Sequence, residues 1–215
     1  MTNGVRATVL GCLAFVAIVL GMFFYNMTRE RGLNDEQLHS LGAILLPTPR
    51  ALSPFVLHDG NGQAFGNAQL ENHWSLLYFG YTNCPDACPT TLRDLAAAKS
   101  EIDKQLRNRH VAASLQIVFV SVDPERDTPA RLKDYVNYFN RDFVGVTASR
   151  EELAVLATQL NVAFGKVPGN SPGTYVMDHT TNLVLTNPHG HYQGFLRPPF
   201  SVTRVAPALA AIAAR

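Results

Sequence analysis

The chain has 215 residues, 47% of them hydrophobic and 16% charged, with a formal net charge of +1 at pH 7. That length carries one well-cored domain plus an appendage, and a mean hydropathy of zero points to a membrane contribution. Lys and Arg are scattered without a basic block, so nothing in the sequence supports nucleic-acid binding.

After a tail of residues 1–6, the stretch from Ala7 to Tyr25 contains no charged side chain. As a helix it would span about 28 Å, close to the hydrocarbon thickness of a bilayer, so residues 7–25 are expected to form one transmembrane anchor. A cleaved signal peptide fits less well, because the apolar run is long and no small-x-small site stands just after Tyr25. Lipidation at Cys12 fails for want of apolar sequence before it, which leaves Cys12 an inert helix residue. Charge does not orient the anchor, since Arg6 stands on one side and Arg29 and Arg31 on the other. Residues 26–50, with Leu38, Leu41, Ile44 and Leu45 weakly periodic and Pro47 and Pro49 at the end, read as a tether.

The globular part is expected over residues 51–215. Phe55 to His58, a turn at Asp59–Gly62 and a return through Phe65 read as a β-hairpin, with His58 and His73 at surface or edge positions. Between Ser75 and Thr91 an apolar strand, Leu76 to Tyr81, delivers Cys84 and Cys88 to a helix expected from about Thr90 to Arg107. Pro89 suits a first helical turn, so Cys88 is placed at or near the N-cap, where the helix end favours thiolate. Two nearby cysteines can also be small buried hydrophobes or a structural disulfide. Their position between strand and helix argues for a pair that either closes a disulfide or holds a soft metal.

Downstream, Leu115 to Val122 is a continuous apolar strand, Thr128 and Pro129 open a second helix through about Phe139, and Phe143 to Val146 is a short strand. Ser149 and Glu152 form a capping box for a third helix. A Gly/Pro-rich loop over residues 165–173 leads into two antiparallel strands, with Asp178 and His179 at the end of the first and a turn at Thr181–Asn182. The turn Asn187–Gly190, a last strand Tyr192–Leu196 and a closing helix complete an α/β sandwich with a mixed sheet, for which thioredoxin-like is the best label. His189 and His191 read as solvated turn residues, and Met177 as core.

Cys84-Pro-Asp-Ala-Cys88-Pro89 after an apolar strand, Ser121-Val-Asp-Pro-Glu-Arg-Asp-Thr-Pro129, and Asp178-His179 before Leu183 together resemble the Sco/SenC family of membrane-anchored copper chaperones. The likeness runs from about Phe55 to the C-terminus. It implies copper on Cys84, Cys88 and His179, as Cu(I) first with Cu(II) as an alternative. The spacing of Cys84 and Cys88 also permits a redox disulfide, and Asp123 and Asp127, which belong to a family motif beside the site, are candidates with Asp178 to stand behind the ligands. The partner that the likeness implies is the copper-bearing subunit of cytochrome c oxidase, whose dinuclear copper centre the family helps to build. Other copper chaperones and thioredoxin-like reductants are further partners. The place it implies is a bacterial inner membrane, with the domain in the periplasm; six residues before the anchor are too few for an organelle-targeting peptide.

The donor set agrees with this on chemical grounds, since two thiolates and an imidazole suit Cu(I), while hard ions need several carboxylates. A structural zinc site would want a fourth ligand. Locally, Asp123 and Asp127 also fit turn formation and helix capping, and the hydrogen-bond partner of His179 is either Asp178 or a backbone carbonyl. The competing function is a thiol-disulfide oxidoreductase, which would use the same cysteines and give His179 no work. The four-residue cysteine spacing and the lack of a proline directly before Tyr175 speak against it. A peroxidase would need a Pro-x-x-x-Thr-x-x-Cys arrangement, which is missing.

Overall fold

The computed structural model describes residues 3–28, 33–108, 114–169, 171 and 173–215. The chain falls into two compact units, Met1–Gly32 and Leu33–Arg215. In the first, helix α1 (Asn3–Thr28) exposes apolar side chains all round, among them Leu10, Leu13, Phe15, Ile18 and Phe23. Among the described residues no helix is long and apolar enough to cross a membrane. Of α1, exposure is described at Gly4 and Thr8–Phe24, so the side chains at both ends of the expected anchor, Ala7 and Tyr25, fall outside the described ones. Arg29 and Arg31 of the charge comparison also lie outside the described residues, as do Asn170 and Pro172 of the expected loop.

The second unit begins inside the expected tether. Helix α2 (Asp35–Ser40) opens with a capping box in which Gln37 N–H donates to Asn34 Oδ1 at 2.8 Å and Asn34 N–H donates to Gln37 Oε1 at 2.9 Å. Leu38 is buried, and strand β1 (Ala43–Arg50) joins the main sheet. Residues 33–50 are thus part of the fold rather than of the expected tether over 26–50, of which residues 29–32 lie outside the described residues. Pro47 and Pro49 are tolerated because β1 is an edge strand, where a missing N–H costs no ladder bond on the open side.

Strands β2 (Val56–Asp59) and β3 (Ala64–Gly66) form the expected hairpin, its turn closed by Asp59 Oδ1, which accepts from the N–H groups of Asn61 and Gln63. Strand β4 (His73–Gly80), helix α3 (Ala87–Asn108), β5 (Ser114–Ser121), α4 (Pro129–Phe139), β6 (Val144–Thr147) and α5 (Arg150–Gln159) follow in alternation. Both expected caps are present: Thr128 accepts from Arg131 N–H, and Ser149 exchanges bonds with Glu152. Then come β7 (Phe164–Pro168), β8 (Tyr175–His179), β9 (Leu183–Thr186), β10 (Tyr192–Leu196) and α6 (Val202–Ala213).

Eight strands make one mixed sheet in the order β1-β10-β9-β4-β5-β6-β2-β3, with β4, β5 and β6 parallel and the other pairings antiparallel. This is the thioredoxin-like α/β arrangement. Leu76, Leu77, Tyr78 and Phe79 of β4 and Ile117 to Val120 of β5 are all buried, which explains why both strands read as continuous apolar runs rather than alternating ones.

The strands around His179 differ from expectation. Residues 164–168 form a strand rather than part of a loop, and β8 pairs with it in a separate two-stranded sheet. Strand β9 instead slots between β4 and β10. All four of its side chains are buried, against only Met177 in β8, so β9 takes the central place and β8 finds a partner outside the main sheet.

Candidate metal centre

Cys84 and Cys88 sit where the central strand β4 hands over to α3. The helix starts at Ala87, three residues earlier than expected, so Cys88 is a buried residue of its first turn rather than its N-cap. Cys84 precedes the helix, and its Sγ accepts the Cys88 N–H at 3.4 Å, one of the helix-end donors left without an intrahelical partner. Both cysteines are free thiols. Gly80 makes room for this: a Cβ there would stand 2.9 Å from Cys88 Sγ and 2.7 Å from the Phe119 ring. Tyr78, on the buried strand, donates its hydroxyl to Cys88 Sγ at 3.7 Å.

Asp127 ties down the loop between strand and helix. Fully buried, its carboxylate accepts from Thr82 N–H at 2.8 Å, Thr82 Oγ1–H at 2.6 Å and Ser121 Oγ–H at 2.6 Å. Arg131 adds bonds to Thr82 Oγ1 and Asn83 Oδ1. The helix-capping role allowed for Asp127 belongs to Thr128, because a buried carboxylate that already accepts from three donors is committed elsewhere.

His179 arrives from the separate sheet. Along β8 the side chains alternate, placing Tyr175, Met177 and His179 on one face and the exposed Val176 and Asp178 on the other. Asp178 therefore does not back His179. The His179 Nδ1 lies 3.1 Å from the Thr180 carbonyl oxygen. A carbonyl only accepts, so Nδ1 carries the hydrogen, and the lone pair of the neutral ring stands on Nε2, 3.8 Å from Cys88 Sγ. The rings of Tyr78 and Tyr81 flank the imidazole edge-on, each with its centroid 6.1 Å away.

The two sulfurs share a proton unequally. Cys84 is held down at about 3, chiefly because the Cys88 thiol donates to it, against the opposing effect of its partial burial. Cys88 is pushed far above the ordinary thiol range, because it is the donor to Cys84 and is buried. The pair titrates as a unit, with one thiolate easily formed and the second formed only at high pH or with a cation to balance it.

Among the described residues, no group of three or more His, Cys, Asp or Glu side chains is ready-made to hold a metal ion. Cys84, Cys88 and His179 meet pairwise instead, through Cys88. The donors nonetheless fit a soft ion. Bonds of about 2.3 Å to sulfur and 2.0 Å to nitrogen sum to about 4.3 Å, so one ion can bridge atoms 3.8 Å apart. A cation would also replace the proton that the sulfurs now share.

Asp123 is buried but touches neither sulfur nor imidazole. It accepts from Tyr175 Oη–H at 2.8 Å and pairs with Arg126. Tyr78, Thr82, Arg126 and Tyr175 escaped the sequence reading. The one signal for them is spacing, with Arg126 three residues after Asp123 and Tyr175 on the His179 face of its strand. His189 and His191 are turn residues whose N–H groups both donate to Asn187 Oδ1 at 3.1 Å, and Met177 is core.

The SCO1/SenC family model matches residues 46–214. A relative from Stutzerimonas stutzeri is 36% identical over 166 residues, 77% of this chain and 78% of its own length. Arabidopsis thaliana ScoI, solved with copper bound, is 32% identical with a TM-score of 0.67 over 74% of this chain and 94% of that one. Bradyrhizobium japonicum ScoI, also solved with copper bound, is 35% identical with a TM-score of 0.60 over 75% and 96%. With the fold, the paired cysteines and the histidine in place, the chain belongs to the SCO1/SenC family.

Proposed function

We propose that this protein is a membrane-anchored copper chaperone that carries copper on Cys84, Cys88 and His179 and serves assembly of the dinuclear copper centre of cytochrome c oxidase. The observation that carries this reading is the approach of His179 Nε2 to Cys88 Sγ, 3.8 Å across 91 positions of sequence, with the ring held in the tautomer that offers Nε2 as a donor. Two structural relatives hold copper. Copper is the cargo here. The chain supplies one ready thiolate at Cys84, a second thiol at Cys88 whose proton the arriving cation displaces, and a neutral imidazole, all soft or borderline donors that prefer Cu(I).

The anchor reading rests on the uncharged run Ala7–Tyr25 and on the exposed apolar side chains of α1. The periplasmic placement follows from the copper-centre role, and activity of a cytoplasm-only reporter fused to the C-terminus would refute it. For the site, the test is Cu(I) competition with a chromophoric chelator, using the reduced full chain in detergent. Replacing His179→Ala leaves two sulfurs and should weaken Cu(I) binding by well over tenfold. Unchanged affinity would remove His179 from the site and move the oxidoreductase reading from second place to first.

A further inference from the structure

Cys88 lies in the first turn of α3 and Cys84 in the loop that joins β4 to it, but the strand that carries His179 pairs, among the described residues, with β7 and lies outside the main sheet. Something else must fix that strand against the cysteine loop. Besides the buried Met177 and the packing of the His179 ring on Tyr78 and Tyr81, the polar contacts that do so come from the loop after β5. Asp123 Oδ1 accepts the Tyr175 hydroxyl at 2.8 Å, and Arg126 Nη1 donates to the Tyr175 carbonyl at 3.2 Å. The Arg126 guanidinium stacks on the Tyr175 ring, 3.8 Å from its centroid, and stands 5.7 Å from the centroid of Tyr81, which itself flanks His179. Asp123 pairs with Arg126, so the three groups close on one another. On the partner strand, Lys166 reaches the same ring at 4.3 Å and pairs with Glu125 of the same loop.

We propose that Tyr175 is the positioning residue for His179: clasped by Asp123 and Arg126, it locks strand β8 in the place where the imidazole meets Cys88. The inference rests on the reading of this site as a metal centre and deepens it. Tyr175 and His179 are four positions apart on one face of one strand, so fixing the side chain and carbonyl of the first leaves the second little freedom of translation or twist. The same loop holds the cysteine side through Asp127 and Thr82. One short segment, Ser121 to Asp127, therefore sets the distance between the two halves of the site. With the clasp closed, the site offers three donors; with it open, it offers two sulfurs, a set that binds copper less tightly and can still close a disulfide.

The test is a double-mutant cycle read by Cu(I) affinity on the reduced full chain in detergent. Tyr175→Phe keeps the ring on Arg126 and loses only the hydroxyl bond, and it should weaken Cu(I) binding about threefold to tenfold. Tyr175→Leu, which also loses the stack, should weaken it by about tenfold or more. In a His179→Ala background both substitutions should have no further effect, because Tyr175 acts only through the imidazole. Equal weakening in both backgrounds would show a general structural role and overturn the inference. Loss of affinity in His179→Ala but none in Tyr175→Phe or Tyr175→Leu would overturn it alone. No loss in His179→Ala would defeat the metal-centre reading, and the inference with it.

Discussion

The two arms of the site are built by opposite means. The cysteine arm grows out of β4, whose side chains from Leu76 to Phe79 are buried and which is paired on both sides, by β5 and β9. The histidine arm is a two-stranded sheet with Met177 as the one buried side chain of β8, held by a polar clasp around Tyr175. Burial of large apolar side chains contributes roughly 1.5–3 kcal/mol each. A single hydrogen bond contributes about 1 kcal/mol net. The difference teaches that Cys88 is held with the core and its loop by the buried Asp127 carboxylate, while the imidazole is held by interactions that are individually small. An ion bound to all three donors therefore draws its third ligand from the part of the fold that moves at least expense.

The contrast can be broken from either side. The largest effect is expected on the cysteine arm, where Asp127→Ala strips the acceptor from two buried or half-buried hydroxyls and the Thr82 N–H. It should lower the unfolding free energy by about 3 kcal/mol, read from the urea midpoint. A loss well under 1 kcal/mol would mean that the cysteine loop does not depend on this carboxylate. Tyr175→Phe is the matching change on the other arm. It should cost only about 1 kcal/mol by the same measurement, its main consequence being in copper affinity. A cost as large as that of Asp127→Ala would erase the distinction between the arms.

The smallest effect is a rate that stays flat. Because Cys84 is held at about 3 rather than near 9, its thiolate is already present throughout the range above that value. Iodoacetamide should therefore label Cys84 of the folded, reduced chain at rates that change by less than about twofold between pH 5 and 8, with Cys88 protected until the chain is unfolded. A rate that climbs about tenfold per pH unit would make Cys84 an ordinary thiol.

Much of this protein is written locally. The run Leu76–Tyr81 that delivers Cys84 and Cys88, the caps Thr128 and Ser149 and the hairpin around Asp59–Gly62 are legible because each depends on neighbours a few residues away: side-chain period, turn chemistry, first-turn donors; His179 was legible only through the family resemblance. What the sequence could not settle was partnership. Strands β8 and β9 look alike as short apolar runs, and which of them enters the main sheet depends on how much surface each can bury against β4, a sum over residues more than 100 positions away. The same holds for residues 33–50, which read as a tether until β1 finds β10 at the other end of the chain. It holds for Asp127, whose bonds to Thr82 span 45 positions. Sequence alone determined that two thiols stand between a strand and a helix, and its likeness to the family pointed to His179. Only the tertiary structure decided that Thr180 rather than Asp178 orients the imidazole and that Tyr175 holds its strand, because both outcomes rest on which face of β8 meets the domain.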